Sequence, residues 1–364
     1  MTRKSSKILP AIYISTTLIA IGITFVVLSI LPKSTVVELD VFARRVSFVL
    51  SPDADDLEVV PLLYSSVWTN SINIEKFQPI KLTVDSLYTT NQEIAVKNPI
   101  VISAKPHGSR ITFSSSSPNI SNQKIFASVG SNITLGLNEY ILAIDVQHSN
   151  IPPSQTISFP DLSEISVQNC NVTDGSGNNL TQLFESSVKA RLHKISRSVT
   201  VLGEGGELAI RSKEAPEDSL REVQFLLKRP VTKLNFTEYS YQNHPPEKMS
   251  TIDSLFVKLN YPLQSNHFKT RGPDDLGFQA EPNSFTLFEL SKKNDLLRTL
   301  AGERLKSLKV YQGAITQELV PGFLSYITHH PTMVMAITWL GWILTIFIPL
   351  VSKLKSKFQE DKHV

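Results

Sequence analysis

The sequence predicts a mainly β, antiparallel protein, sandwich-like in its middle and flanked by one transmembrane helix at each end. Three observations carry this: apolar residues alternate with period two from residue 37 to residue 311, turn-forming Ser, Asn, Pro and Gly separate the runs, and a long uncharged apolar stretch lies near either terminus. With 41% hydrophobic and 8% aromatic residues in 364, disorder along the whole chain is excluded. Cys170 is the single cysteine, which excludes an internal disulfide framework and any multi-cysteine zinc or iron–sulfur site.

Residues 1–7 read as a basic tail and residues 8–31 as the first span. No charge falls between Ile8 and Leu31, and at 1.5 Å per residue the run reaches roughly 36 Å against a hydrocarbon core of about 30 Å. A cleaved signal would have a shorter apolar centre and a small-x-small site behind it, and the run has neither. Val37, Leu39, Val41 and Ala43 then share one face. After Arg44 and Arg45 the phase slips to Val46, Phe48 and Leu50, as a bulge would produce. The alternation continues through Ile72 and Ile74, Ile80 to Val84, Ile100 and Ile102, Ile111 and Phe113, Ile133 to Leu137, Leu142 to Val146, and Val188 to Leu192. Val199 and Val201 reach Gly203-Glu204-Gly205-Gly206, and Leu208 and Ile210 resume beyond it, which reads as a hairpin. Val223 to Leu227, Leu255 to Tyr261, Phe285 and Leu287, and Leu305 to Tyr311 complete the strands; Ser291 to Leu300 reads as one short helix capped by Ser291.

About 300 residues exceed one ordinary sandwich, so two β units are expected, residues 33–212 and 213–330, cut in the polar stretch Ser212 to Ser219. Leu319 to Ile327 reads as an interfacial helix, or equally as a last strand or linker. Residues 332–351 form the second span, with Trp339 and Trp342 one helical turn apart, and residues 352–364 a second tail. Arg3, Lys4 and Lys7 precede the first span and Lys353, Lys355 and Lys357 follow the second, so both termini are expected in the cytoplasm and residues 33–330 outside it. That placement fits a bacterial inner membrane with a periplasmic domain, or a eukaryotic lumenal or extracellular one. The tails carry +3 and +2 of the chain's net +3, which leaves the stretch between them at −2. No basic run in that stretch supports nucleic-acid binding.

No phosphate loop, HExxH, GxSxG or CxxC occurs, and no catalytic residue or cofactor is assigned. Asp174, Ser176, Asn178, Leu180, Gln182 and Glu185 match the oxygen-ligand spacing of a calcium loop, with Asn179 where that loop wants Gly. Asp53, Asp55, Asp56 and Glu58, and Asp274 with Asp275, are acidic turns of the kind that hold hard cations, although such turns are most often merely solvated. His329 and His330 cap the membrane boundary, and adjacent histidines point apart on a helix. Cys170 has no local base for nucleophilic work. His107, His148, His193, His244 and His267 lie in the outer segment as surface residues. Sequons begin at Asn119, Asn132, Asn171, Asn179 and Asn235, close to the number expected by chance.

These features imply a membrane-anchored, non-enzymatic cell-envelope protein whose outer β region binds a protein or polysaccharide or scaffolds an assembly. Its partners are then the lipid bilayer and a protein or glycan, with no nucleic acid. An accessory subunit of a transporter or export complex is the first alternative, and a tethered glycan hydrolase the second.

Overall fold

The computed structural model describes residues 35–320, apart from 53–58, 62–66, 90–91, 117–119, 139–140, 160–161, 186–187, 193–197, 214–223, 226–229, 241–246, 261–262, 271–274 and 294, together with Met335, Thr338, Trp339 and Gly341. The chain is mainly β, and every described strand pairing is antiparallel.

The strand Thr35–Ala43 alternates buried and half-buried along its whole length. Its inward residues Val37, Leu39, Val41 and Ala43 are the ones the alternation picks out. It lies inside a six-stranded sheet ordered Gln224–Phe225, Leu287–Lys293, Leu296–Leu305, Thr35–Ala43, Ile252–Asn260, Leu263–Lys269. The first described strand is therefore zipped on both sides to strands more than two hundred residues later, with Leu39 opposite Val257 and Ala301.

The next strand, Arg45–Leu50, belongs to a different sheet. That sheet has twelve strands in the order Ser284–Phe285, Val231–Asn235, Arg45–Leu50, Asn132–Asn138, Ile141–Gln147, Leu208–Lys213, Ser71–Glu75, Arg110–Ser114, Leu162–Gln168, Val188–Leu192, Val84–Tyr88, Glu93–Ile94. The phase slip at Arg44 is thus not a bulge within one ladder but a crossing between two sheets, and both have apolar inner faces. Phe48 of the larger sheet meets Phe288 of the smaller at 4.8 Å between ring centroids, and Phe113 meets Phe159 at 4.5 Å further along.

Three smaller sheets and one two-stranded ribbon complete the fold. Ile120–Ser128 pairs with Ser154–Ser158, Val59–Pro61 and Val67–Thr69, and Ser198–Leu202 extends that sheet at the Ser154–Ser158 edge. Ile100–Ala104 lies between Cys170–Thr173 and Ile80–Leu82, and Ser307–Gln312 between Leu276–Glu281 and Ile315–Glu318; Thr237–Ser240 pairs with Glu247–Ser250. One continuous hydrophobic core joins residues from Val37 to Val320.

Several expectations are corrected here. Gly203 to Gly206 form a tight turn, with Gly205 and Gly206 at positive φ, but the strands either side do not pair with each other. Ser198–Leu202 joins the Ser154–Ser158 strand, while Leu208–Lys213 joins the twelve-stranded sheet, so the turn is a second sheet-to-sheet corner. At Gly206 a side chain would strike the Ser149 carbonyl. Ser291 to Leu300 is no helix. It contributes to two adjacent strands, Leu287–Lys293 and Leu296–Leu305, in which Leu290 lies opposite Thr299. The proposed strand Leu305 to Tyr311 breaks at Lys306, whose N–H donates to the Glu281 carbonyl.

The membrane placement is corrected as well. A crossing takes about 20 consecutive apolar helical residues, and no helix among the described residues is long and apolar enough to cross a membrane. The one continuous described helix, Thr181–Glu185, has five residues. Residues 8–31 lie outside the described residues, as do residues 332–351 except for Met335, Thr338, Trp339 and Gly341, which are helical. The two transmembrane helices, the cytoplasmic termini and the extracytoplasmic position of residues 33–330 are therefore without support. Within Leu319 to Ile327 only Leu319 and Val320 are described; both are buried, and the Leu319 N–H donates to the Leu308 carbonyl.

At the Arg44 crossing the Arg44 N–H donates to the Thr251 carbonyl at 3.0 Å and the Leu137 N–H to the Arg44 carbonyl at 2.7 Å. Buried Thr251 places Oγ1 2.9 Å from the Arg45 carbonyl and 2.8 Å from the Phe236 carbonyl, so one hydroxyl proton serves both. Thr251→Val keeps the shape and removes the donor. It is expected to cost about 1–3 kcal/mol, read as a lower denaturation midpoint with an unchanged slope; an unchanged midpoint would show that the crossing does not need this hydroxyl.

Candidate binding site

The sites expected from sequence resolve differently. Asp174 closes its own loop: its carboxylate accepts from the N–H groups of Ser176 and Asn178 and from the Asn178 side-chain amide, each at 2.9 Å. Gly177 takes the positive φ that the calcium template assigns to the position of Asn179, and the Asn179 side-chain oxygen instead accepts from the Thr181 N–H at the start of the helix. Both Asp174 oxygens thus accept from N–H groups of the loop itself, and no group of three acidic, His or Cys side chains among the described residues is arranged to hold a metal.

Cys170 is fully buried, with Sγ 3.2 Å from the Gln168 carbonyl and 3.6 Å from that of Arg110. Burial pushes its thiol pKa up, against the smaller effect of those hydrogen bonds, which keeps it protonated and unreactive. His107 and His148 are exposed at positive φ. Asp275 lends its backbone carbonyl to the Gly313 N–H. Among the sequon asparagines, Asn171 and Asn179 are exposed, while Asn132 and Asn235 are half-buried in paired strands. Asp53, Asp55, Asp56, Glu58, Asn119, His193, His244, Asp274, His329 and His330 lie outside the described residues.

Two of these residues line cavities, His107 one of about 380 Å³ beside Lys105 and Glu75, and His267 a larger one on the six-stranded sheet. In the six-stranded sheet, residues two apart along a strand share a face, so Glu38, Asp40 and Phe42 point away from the core that Leu39 and Val41 enter. Register sets Lys258 opposite Glu38 and Phe256 opposite Asp40, with His267 opposite Phe256 and Arg298 opposite Phe42. This outer face lines a cavity of about 510 Å³.

Its aromatic part is a tier of three rings. His267 stacks on Phe256 at 3.9 Å with 6° between the planes, and Phe42 meets Phe256 edge-on at 6.3 Å. Phe256 is 41% exposed, a large ring held out in water on the side of the strand that chemistry would leave polar. The cavity's two carboxylates are both paired, and Lys293 stands beside them as a third cation. Arg298 grips Asp40 with both arms, Nε to Oδ1 at 2.9 Å and Nη2 to Oδ2 at 2.8 Å, and Lys258 reaches Glu38 at 2.9 Å. Arg298 and Lys293 also approach the Phe42 ring at 5.7 and 6.0 Å.

What the sequence reading missed is Phe42 and Phe256, and the signal was present. Phe256 stands out of phase with Leu255, Val257 and Leu259, and Phe42 out of phase with Val41 and Ala43. An aromatic in the polar phase of a strand lies on the face turned away from the core. The chain matches no family model, no curated protein and no solved structure.

The loop closed by Asp174 generates a pH prediction. Hydrogen bonds from Asn178 and Ser176 hold its carboxyl below the ordinary carboxylate range, the Asn178 side chain contributing most. A depressed folded-state pKa stabilises above the unfolded value of about 3.9 and is lost as pH falls through the folded value. Asp174→Ala is therefore expected to melt below wild type at pH 7, with the gap closing as the pH falls below about 4; a gap constant across that window would refute the assignment.

Proposed function

We propose that this chain is a non-enzymatic binding protein whose six-stranded sheet presents the Phe42, Phe256 and His267 tier to a polysaccharide. One observation carries the reading, the exposed aromatic stack beside ion pairs that already neutralise each other. A sugar ring has an apolar C–H face and a rim of hydroxyls. Ring faces with their negative quadrupole suit the first, and fixed carboxylates and guanidiniums the second. A neutral polyhydroxyl ligand can hydrogen-bond along this rim while the Asp40–Arg298 pair stays intact.

The hydrolase alternative needs a carboxyl free to give a proton, and both carboxylates lining this cavity, Glu38 and Asp40, are engaged by cations. The accessory-subunit alternative presupposes membrane-crossing helices, and no helix among the described residues is long and apolar enough to cross a membrane.

Stacking a sugar on Phe256 buries about 60 Å² of ring, which at about 25 cal/mol per Å² is about 1.5 kcal/mol, near tenfold in affinity. Screening the full chain on neutral glycans should find retention by at least one, and Phe256→Ala should weaken it by about tenfold in a chain that still folds, its circular-dichroism spectrum unchanged at the assay temperature. Retention indifferent to Phe256 and His267, or no neutral glycan bound while a protein co-purifies in fixed ratio, would replace the glycan by a protein partner.

A further inference from the structure

We propose that the outer face of the twelve-stranded sheet is a second site, one that binds the acidic group of a saccharide, a carboxylate or sulfate carried on a sugar. Register builds it. Across the strands Leu208–Lys213, Ser71–Glu75 and Arg110–Ser114, Lys213 lies opposite Ser71 and Ser71 opposite Ser114; Arg211 opposite Asn73 and Asn73 opposite Thr112; and Glu75 opposite Arg110. The intervening residues Ile72, Ile74, Ile111 and Phe113 fill the core, so these polar residues share the opposite face. The middle positions are short and hydrogen-bonding while Arg110, Arg211 and Lys213 stand around them, leaving a trough of about 390 Å³.

Alternation requires only that this face be polar; it does not require three cations. Arg110 is held by Glu75 at 2.6 Å and Arg211 by Asp145 at 2.8 Å. Each carboxylate fixes its guanidinium and leaves N–H donors over. Arg110 uses only Nε and Nη2 on Glu75, out of five hydrogens. Lys213 has no carboxylate partner among the described residues, so the trough keeps one positive charge uncompensated. Guanidiniums already positioned lose little freedom when an oxyanion arrives, and Lys213 supplies the net charge that draws it.

Ile141, opposite Lys213 and 41% exposed, puts an apolar contact at the edge of the trough. Cation, hydroxyl-bearing floor and apolar edge together suit an acidic sugar ring. No aromatic side chain lines the trough, and a nucleic-acid strand would want rings on which to stack its bases. The two sites have no lining residue in common, so this one does not depend on the aromatic face being a glycan site.

Calorimetric titration of the full chain at low salt tests it with four probes: an oligogalacturonate for carboxylate, a sulfated dextran oligosaccharide for sulfate, unmodified dextran, and single-stranded DNA of matched charge. At least one acidic sugar is expected to bind about tenfold or more tighter than dextran and to weaken as sodium chloride rises. The stronger of the two names the source of the acidic group. Lys213→Glu, at an exposed position, is expected to cut that affinity about tenfold or more with an unchanged melting temperature. Arg110→Gln should weaken it too, and Phe256→Ala should leave it alone. Failure of both acidic sugars to bind, equal binding of dextran, indifference to Lys213→Glu, or tighter binding of the DNA would each overturn the assignment.

Discussion

The architecture depends on a crossing one residue long. Arg44 belongs to no strand, yet its N–H and carbonyl are taken by Thr251 and Leu137, so the chain passes from one sheet to the other without leaving a backbone group unsatisfied. Thr251 answers from the far end of the chain, binding the carbonyls of Arg45 and Phe236 at the same place. Because residues 35–43 and 45–50 lie in different sheets, every inward side chain on either side has to face a common core. The contact between Phe48 and Phe288 is the direct result. A one-residue error in register would turn Val37, Leu39 and Val41 outward and bring Glu38 and Asp40 in, at the cost of burying charges whose cations stand on the other face.

The same constraint makes the candidate sites. Once one face of each sheet is committed to the core, what remains on the other is whatever the intervening positions carry. Cross-strand register then decides which of those residues become neighbours. Asp40 and Arg298 are 258 positions apart in sequence and meet because Thr35–Ala43 and Leu296–Leu305 are adjacent strands. His267 reaches Phe256 because Ile252–Asn260 and Leu263–Lys269 pair antiparallel with these two residues in register.

Alternation made many inner faces legible in the sequence, among them Val37 to Ala43, Ile72 and Ile74, Ile133 to Leu137, and Leu142 to Val146. Sheet membership was not legible, because period two is identical in every strand and says nothing about its neighbour. Hence the corner at Arg44 reads as a bulge and the turn at Gly203 to Gly206 as a hairpin: the local signals of a tight reversal are correct, and only pairing partners distinguish the cases. Ser291 to Leu300 reads as a helix because Ser291 imitates an N-cap and Lys, Asp and Arg are tolerated in helices. Tertiary pairing overrides that propensity, with Leu290, Leu297, Thr299 and Ala301 buried in strand fashion. At the calcium-like spacing, what the sequence did not disclose is local: Asn178 and Ser176 donate to Asp174 and so close the loop on itself.

The two outer faces differ in what they set beside their ion pairs, and that difference sets what each can select. The cavity of the six-stranded sheet adds aromatic rings, with Lys293 held over Phe42, so discrimination there comes chiefly from ring contact and hydrogen-bond geometry. The trough has no ring and keeps Lys213 over, so selection there is by ligand charge and fades with ionic strength. Both sets of side chains project from paired strands whose backbone is fixed by the core beneath, which keeps them preorganised without drawing on core residues. Removing an ammonium such as that of Lys213 leaves the buried packing intact, so binding there responds to substitutions that folding does not.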